Sequence, residues 1–176
     1  LDGIGHHTLF FDEDFANHAE ALYRQPHWPN RPLFYACCPS KTDPSVAPAG
    51  KENLFLLIPV AAGLEERDGL ADAYLKEALG RVGQFCGQDL SGRVFYRRDY
   101  SVRDFSADYN AYKGNAYGLA NTLRQTALLK PSLVSPKVGN LYFAGQLTLP
   151  GPGVPPSLIS GQIAARQAID RLEGGK

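Results

Sequence analysis

The sequence predicts an α+β fold: a mixed, largely antiparallel sheet with flanking helices, followed by a terminal strand-loop-helix. Three observations carry this. Short β-rich runs alternate with segments of helical periodicity along the whole chain. Two of those runs, 33–38 and 53–60, are separated by a polar, Pro-rich stretch at 39–50, as in a hairpin with a long connection. Near the carboxyl end an apolar run stops on Gly145 and meets a Gly/Pro loop before a last helical pattern.

The elements follow in order. Residues 7–11 read as a short strand, and Asp12, Glu13 and Asp14 suit the positive end of a helix with Phe15, Ala19, Leu22 and Tyr23 on one face. That helix stops before Pro26. After the hairpin comes the clearest helix, with Asp68 as N-cap, Leu70, Tyr74, Ala78, Val82 and Phe85 at spacings of three and four, and Gly87 as its stop. Residues 93–101 read as a further strand leading into the aromatic segment Tyr96 to Tyr117, and 118–130 as a helix ended by Pro131. A strand at 140–144, the Gly/Pro loop and a helix over about 157–172 complete the chain.

Composition narrows the function classes. Lys plus Arg and Asp plus Glu each total 18, so the formal charge is zero and no global field draws in a polyanion. The tyrosines, Arg97, Arg98, Arg103 and Lys113 at 96–117 resemble a stacking surface for single strands, but Asp99, Asp104 and Asp108 sit among them, and no nucleic-acid partner is expected. The longest apolar run, 54–62, is interrupted by Pro59 and far short of the roughly 20 residues a membrane-crossing helix needs. Adjacent Cys37 and Cys38 with a distant Cys86 fit neither a disulfide framework nor a paired-Cys zinc site, and point to a reducing compartment. The chain opens on Leu1 and contains no Met, so it is expected to be the later part of something longer.

The densest chemistry lies at 140–161. Gly145 closes the strand, Gly151 and Gly153 let backbone approach a ligand, and Pro155 and Pro156 fit a helix opening where missing N–H groups cost little. A helix N-terminus carries about half a positive charge and favours a phosphate or a developing anion. With two donors removed by proline, Val154 and Ser157 are the expected local N–H contacts, and Gly161 is expected to bring the helix close to the strand. On the residues alone, a tight structural turn explains the loop as well as a ligand does. Gly3-Ile4-Gly5 lacks the third glycine of a dinucleotide fingerprint, and no P-loop is present.

The segment 140–161 resembles the carboxyl-terminal flavin motif of bacterial phytoene desaturases, FAD-dependent carotenoid desaturases of the amine-oxidase-like flavoprotein superfamily. The likeness extends to His6-His7-Thr8-Leu9-Phe10-Phe11, to Pro39-Ser40-Lys41-Thr42-Asp43-Pro44, to 52–60 and to Asp108-Tyr109-Asn110-Ala111-Tyr112-Lys113-Gly114-Asn115, nearly the whole chain. The resemblance implies that 1–138 is a substrate-side domain. It implies that 139–176 is the terminal strand-loop-helix of a Rossmann-like FAD-binding domain whose amino-terminal portion lies outside this chain. By position, Gly145 and Gln146 match the strand end near the ribityl and pyrophosphate groups of FAD, and Gly153, Val154 and Pro155 the loop beside the isoalloxazine edge. Ser157 joins them as a cofactor contact. Many relatives carry an acidic residue where this chain has Gln146, which puts that side-chain contact in doubt and leaves the backbone ones.

The implied activity is desaturation of an acyclic carotene such as phytoene, with a hydrophobic polyene as substrate, some of the aromatics at 96–117 as its channel, and no catalytic acid or base named. The implied setting is the cytoplasm, peripherally on the inner membrane, with the region around Leu119, Leu123, Leu128 and Leu129 as the docking patch. A hydroxycarotenoid 3,4-desaturase, a carotene isomerase and a non-redox lipid-binding module are the alternatives. His6 and His7 read first as an adjacent pair with one ring packed and one in solvent, and second as groups that orient substrate or shuttle a proton. Cys37 and Cys38 read as small buried hydrophobes before they read as redox groups.

Overall fold

A computed structural model describes residues 1–120, 122–126 and 129–174. They divide into two compact units, Leu1–Gly114 and Asn115–Lys176. In the second unit 115–118 packs with the Gly/Pro loop: Gln146 Nε2 donates to Ala116 O at 3.0 Å. The described secondary structure is α+β, with one antiparallel sheet and four α-helices.

The first unit is built on that sheet, in the order β1 (His7–Phe10), β2 (Phe34–Cys37), β3 (Phe55–Leu57). His7 pairs with Cys37 and Phe10 with Phe34; Tyr35 pairs with Leu57 and Cys37 with Phe55. The 3₁₀ turns Pro39–Lys41 and Pro44–Val46 shape the hairpin connection. There Glu52 accepts from Lys41 Nζ at 2.5 Å and Ser40 Oγ at 2.6 Å, and these bonds hold its carboxyl down at about 2.

α1 (Phe15–Tyr23) starts where Asp14 accepts from the Ala16 amide at 2.8 Å, so the acidic cluster supplies a cap as expected. Its buried face is not the expected one. His18 and Ala21 point inward, and Phe15 and Tyr23 are exposed. The reason is polar: His18 Nδ1 accepts from buried Leu33 N at 2.8 Å and Nε2 lies 2.8 Å from Pro59 O, so one ring joins two loop backbones.

α2 (Leu70–Cys86) supplies Ala78 and Val82 to a core with Ile4, Phe10, Phe34, Ala36, Cys38 and Leu90. Its cap is Gly69 at φ +77, one residue past Asp68, because the Leu70 amide closes a turn onto Arg67 O and only a left-handed residue completes it. Arg81, 7% exposed, is the polar strut of this core. Its guanidinium stands 4.8 Å over the Phe34 ring, donates to Pro32 O at 2.6 Å and pairs with both carboxylate oxygens of Asp12.

No strand forms at 93–101. Arg97 is drawn to Asp72 at 2.5 Å and Asp99 at 2.6 Å. α3 (Val102–Tyr109) follows, with Ser101 and Asp104 forming a capping box. Burial works to raise the Glu66 carboxyl, but bonds from Ser101 Oγ and from the Arg103 amide and guanidinium outweigh it and leave it below its ordinary value.

In the second unit the expected helix at 118–130 is absent among the described residues, which form turns there; Leu128 lies outside them. The expected strand at 140–144 is reduced to a single antiparallel bridge, Val134 with Tyr142, flanked by Ser135 N to Leu141 O at 2.9 Å and Phe143 N to Leu133 O at 2.8 Å. Only 133–135 pairs with it among the described residues, so no ladder extends. α4 (Val154–Leu172) is the expected last helix with its start three residues earlier. No helix among the described residues is long and apolar enough to cross a membrane.

Arg81→Met is expected to lower the unfolding free energy by about 2–4 kcal/mol, because it strands Asp12 and Pro32 O and unpacks Phe34. The Arg81 bonds hold the Asp12 carboxyl below its ordinary 3.8. That contribution is therefore present above the ordinary value and lost as pH falls toward the lowered one. Denaturant midpoints at neutral and acid pH should show the variant losing less than the wild type on acidification. Parallel losses would remove the Asp12–Arg81 pair from the account.

Candidate functional site

The Gly/Pro loop and the start of α4 form the candidate site. A helix leaves its first amides without intrahelical acceptors. Here Gly153 is the N-cap, at φ +116, and Pro155 and Pro156 remove two of those donors. Ser157 N is already committed to Gly153 O at 3.0 Å. Of the two local amide contacts expected from sequence, Val154 keeps a first-turn N–H without a partner among the described residues; the Ser157 amide is spent inside the helix. Val154 is 76% exposed and Leu158, one turn further along the helix, is 68% exposed.

The glycines divide their roles differently from the expectation. At Gly145, φ +108, an added Cβ would meet nothing within 4 Å, so this backbone faces open space. At Gly151, φ +142, it would lie 3.5 Å from Lys130 Nζ, which brings a buried lysine's charge against the loop. At Gly153 it would meet the Pro156 ring at 3.4 Å. Gly161 makes no close approach, having nothing within 4 Å of its Cβ position.

The residue that joins loop to helix is Ser160, which sequence reasoning missed. Its side chain is fully buried at 0% exposure; Oγ accepts from Gly145 N at 2.7 Å and donates to Ser157 O at 2.6 Å. Buried Thr148 closes the other side, its amide and hydroxyl both donating to Gly145 O at 3.1 and 2.9 Å. The signal available in sequence was a small polar residue on the inner face of a glycine-led helix. Gln146 turns its amide back onto Ala116 O. The structure thus brings Gly145, Gln146, Gly153, Val154, Pro155 and Ser157 into one loop and helix start.

Elsewhere, Cys38 is buried in the first core, and burial pushes its thiol up, as fits a packing residue. Tyr96, Tyr109, Tyr112 and Tyr117 are exposed. Tyr100 packs edge-on against Phe105 and donates to Asp108 at 2.8 Å.

Residues 8–169 match the family described as flavin containing amine oxidoreductase. The chain belongs to that family. It is 45% identical to a protein named carotenoid 3,4-desaturase from Haloarcula japonica, over 98% of this chain and 35% of the relative. It is 30% identical to the 4,4'-diapophytoene desaturase (4,4'-diaponeurosporene-forming) of Staphylococcus aureus strain Newman, over 99% of this chain and 36% of that protein. The chain spans about a third of the length of these relatives.

The residues present fit one wall of a flavin site. Gly145 offers open backbone, Val154 an exposed apolar side chain, and the α4 terminus with Lys130 a positive potential that would favour the negative charge of a reduced flavin. Ser160→Ala should cost about 1–3 kcal/mol by leaving the Gly145 amide without its acceptor. Gly161→Ala, mid-helix with room for the methyl, should be neutral or stabilise by up to about 1 kcal/mol. Thermal unfolding of both variants checks this, and equal effects would remove the role given to Ser160.

Proposed function

We propose that the protein carrying this chain is an FAD-dependent carotenoid desaturase, in which this chain supplies one wall of the flavin site and part of the substrate side. The observation that carries the reading is the match of nearly the whole chain to relatives named as carotenoid desaturases, combined with a loop fit for a flavin edge. Bound FAD would supply the hydride acceptor, with hydride leaving one allylic carbon and a proton the neighbouring one as the new double bond forms. The chain's own part is binding and electrostatics. Gly145 admits the ring system at backbone distance, and the Val154 amide and the helix end favour negative charge.

Phytoene or a related acyclic carotene is the first substrate on this reading. A 3,4-desaturation of an acyclic carotenoid stands equally beside it, because the relative so named shares 45% identity. The experiment supplies the full-length protein, in liposomes, with phytoene and with a carotenoid saturated at the 3,4 bond, and follows the red shift of absorption. Gly153→Asp should abolish flavin binding and turnover, since it adds both a side chain at φ +116 and a negative charge at the helix start. Cys86→Ser should leave both intact. A full flavin complement in Gly153→Asp, or no new conjugation with either substrate, would sink the reading.

On this reading the protein works from the cytoplasm, docked peripherally on the inner membrane, because such a hydrocarbon resides among lipid tails. Leu123, 90% exposed, and exposed Leu129 support an apolar docking patch; Leu119 is half-buried and Leu128 falls outside the described residues. With zero net charge, co-sedimentation with neutral liposomes should persist at high salt. Binding that requires anionic lipid would overturn the docking claim.

A further inference from the structure

A cluster in the first unit, unused by the flavin reading, has the composition of a metal site. His7 and Cys37 are cross-strand partners in β1 and β2, so their side chains share one face of the sheet. The chain bends at His6, just before the ladder begins, and the His6 ring therefore escapes to the same side. Its centroid lies 4.3 Å from that of His7. One ligating atom from each of His6, His7 and Cys37 lies within 4.8 Å of the other two.

Both rings are already oriented through Nδ1. His6 Nδ1 lies 2.6 Å from Thr42 Oγ1, and His7 Nδ1 lies 2.5 Å from Tyr35 Oη. Thr42 Oγ1 also lies within hydrogen-bond reach of Pro39 O, at 3.2 Å, so its proton has an acceptor when His6 Nδ1 is the donor. In that tautomer the His6 Nε2 lone pair is free. A hydrogen bond on one ring nitrogen that presents the other is the support metal-binding histidines require.

We propose that His6, His7 and Cys37 bind a thiophilic divalent cation of the zinc class. Two imidazoles and a thiol suit a borderline-soft ion and disfavour magnesium or calcium, which take oxygen ligands. Bonds of about 2.0–2.3 Å put tetrahedral donors about 3.5 Å apart, so the cluster closes by roughly 1 Å, a movement open to the exposed His7 ring. On binding, the Cys37 thiol proton leaves to solvent and the thiolate bonds the metal. Three protein ligands leave a fourth position for water or an external group.

The test uses the full-length protein with its cofactor bound, stripped of metal by a chelator and titrated with Co²⁺. Tetrahedral thiolate-bound Co²⁺ absorbs in the red, where oxidised flavin does not. About one equivalent should generate that spectrum, and Zn²⁺ should displace it. Cys37→Ser and His6→Ala should weaken binding more than about 100-fold. Thr42→Val, which keeps all three ligands, should weaken it about 10-fold, and Cys86→Ser not at all. In the unmutated protein, Zn²⁺ should protect Cys37 from alkylation, located by peptide mapping. No tetrahedral spectrum at stoichiometric Co²⁺, a spectrum that survives Cys37→Ser, or alkylation of Cys37 unaffected by Zn²⁺ would overturn the proposal.

Discussion

A single buried hydroxyl governs the candidate site. Ser160 Oγ receives the Gly145 amide and returns its proton to Ser157 O, so one atom ties the glycine that ends the apolar segment to the first turn of α4. It holds the Gly145 backbone where it opens into space. Thr148 repeats the logic on the Gly145 carbonyl, so a loop rich in glycine and proline is held by satisfied backbone groups more than by apolar packing.

The first unit is organised by the same demand. Its sheet has three short strands, and much of its backbone is loop. His18 reconciles Leu33 and Pro59, and Arg81 reconciles Pro32 with Asp12 while covering Phe34. These polar struts stand where longer strands would otherwise supply ladder bonds, which is why two polar side chains are buried beside an aliphatic core.

The functional reading joins these constraints to chemistry. A helix end with a first-turn amide outside the helix bonds and a lysine charge beside it would favour a flat ring system that gains negative charge on reduction, and the chain belongs to a flavin-containing family. The His6, His7 and Cys37 cluster belongs to the other unit and to a different chemistry. It arises from strand register and one bend, with hydrogen bonds that fix its rings.

The sequence by itself determined the fold class, the hairpin, α2 with its Gly87 stop, the α4 helix and the Gly/Pro loop, along with the family resemblance. Each of these rests on local periodicity, on residues with special backbone preferences, or on contiguous motifs. Local propensity does not decide 93–101 or 140–144. Arg97 is taken by Asp72, and among the described residues the 140–144 segment finds only 133–135 to pair with. Tertiary structure alone decided that His18 and not Phe15 turns inward, that Ser160 and not Gly161 joins helix to loop, and that His6 swings beside His7 and Cys37. Each of those outcomes depends on a buried amide, carbonyl or ring contributed from elsewhere, and no pattern of spacing within one segment records where such a partner will stand.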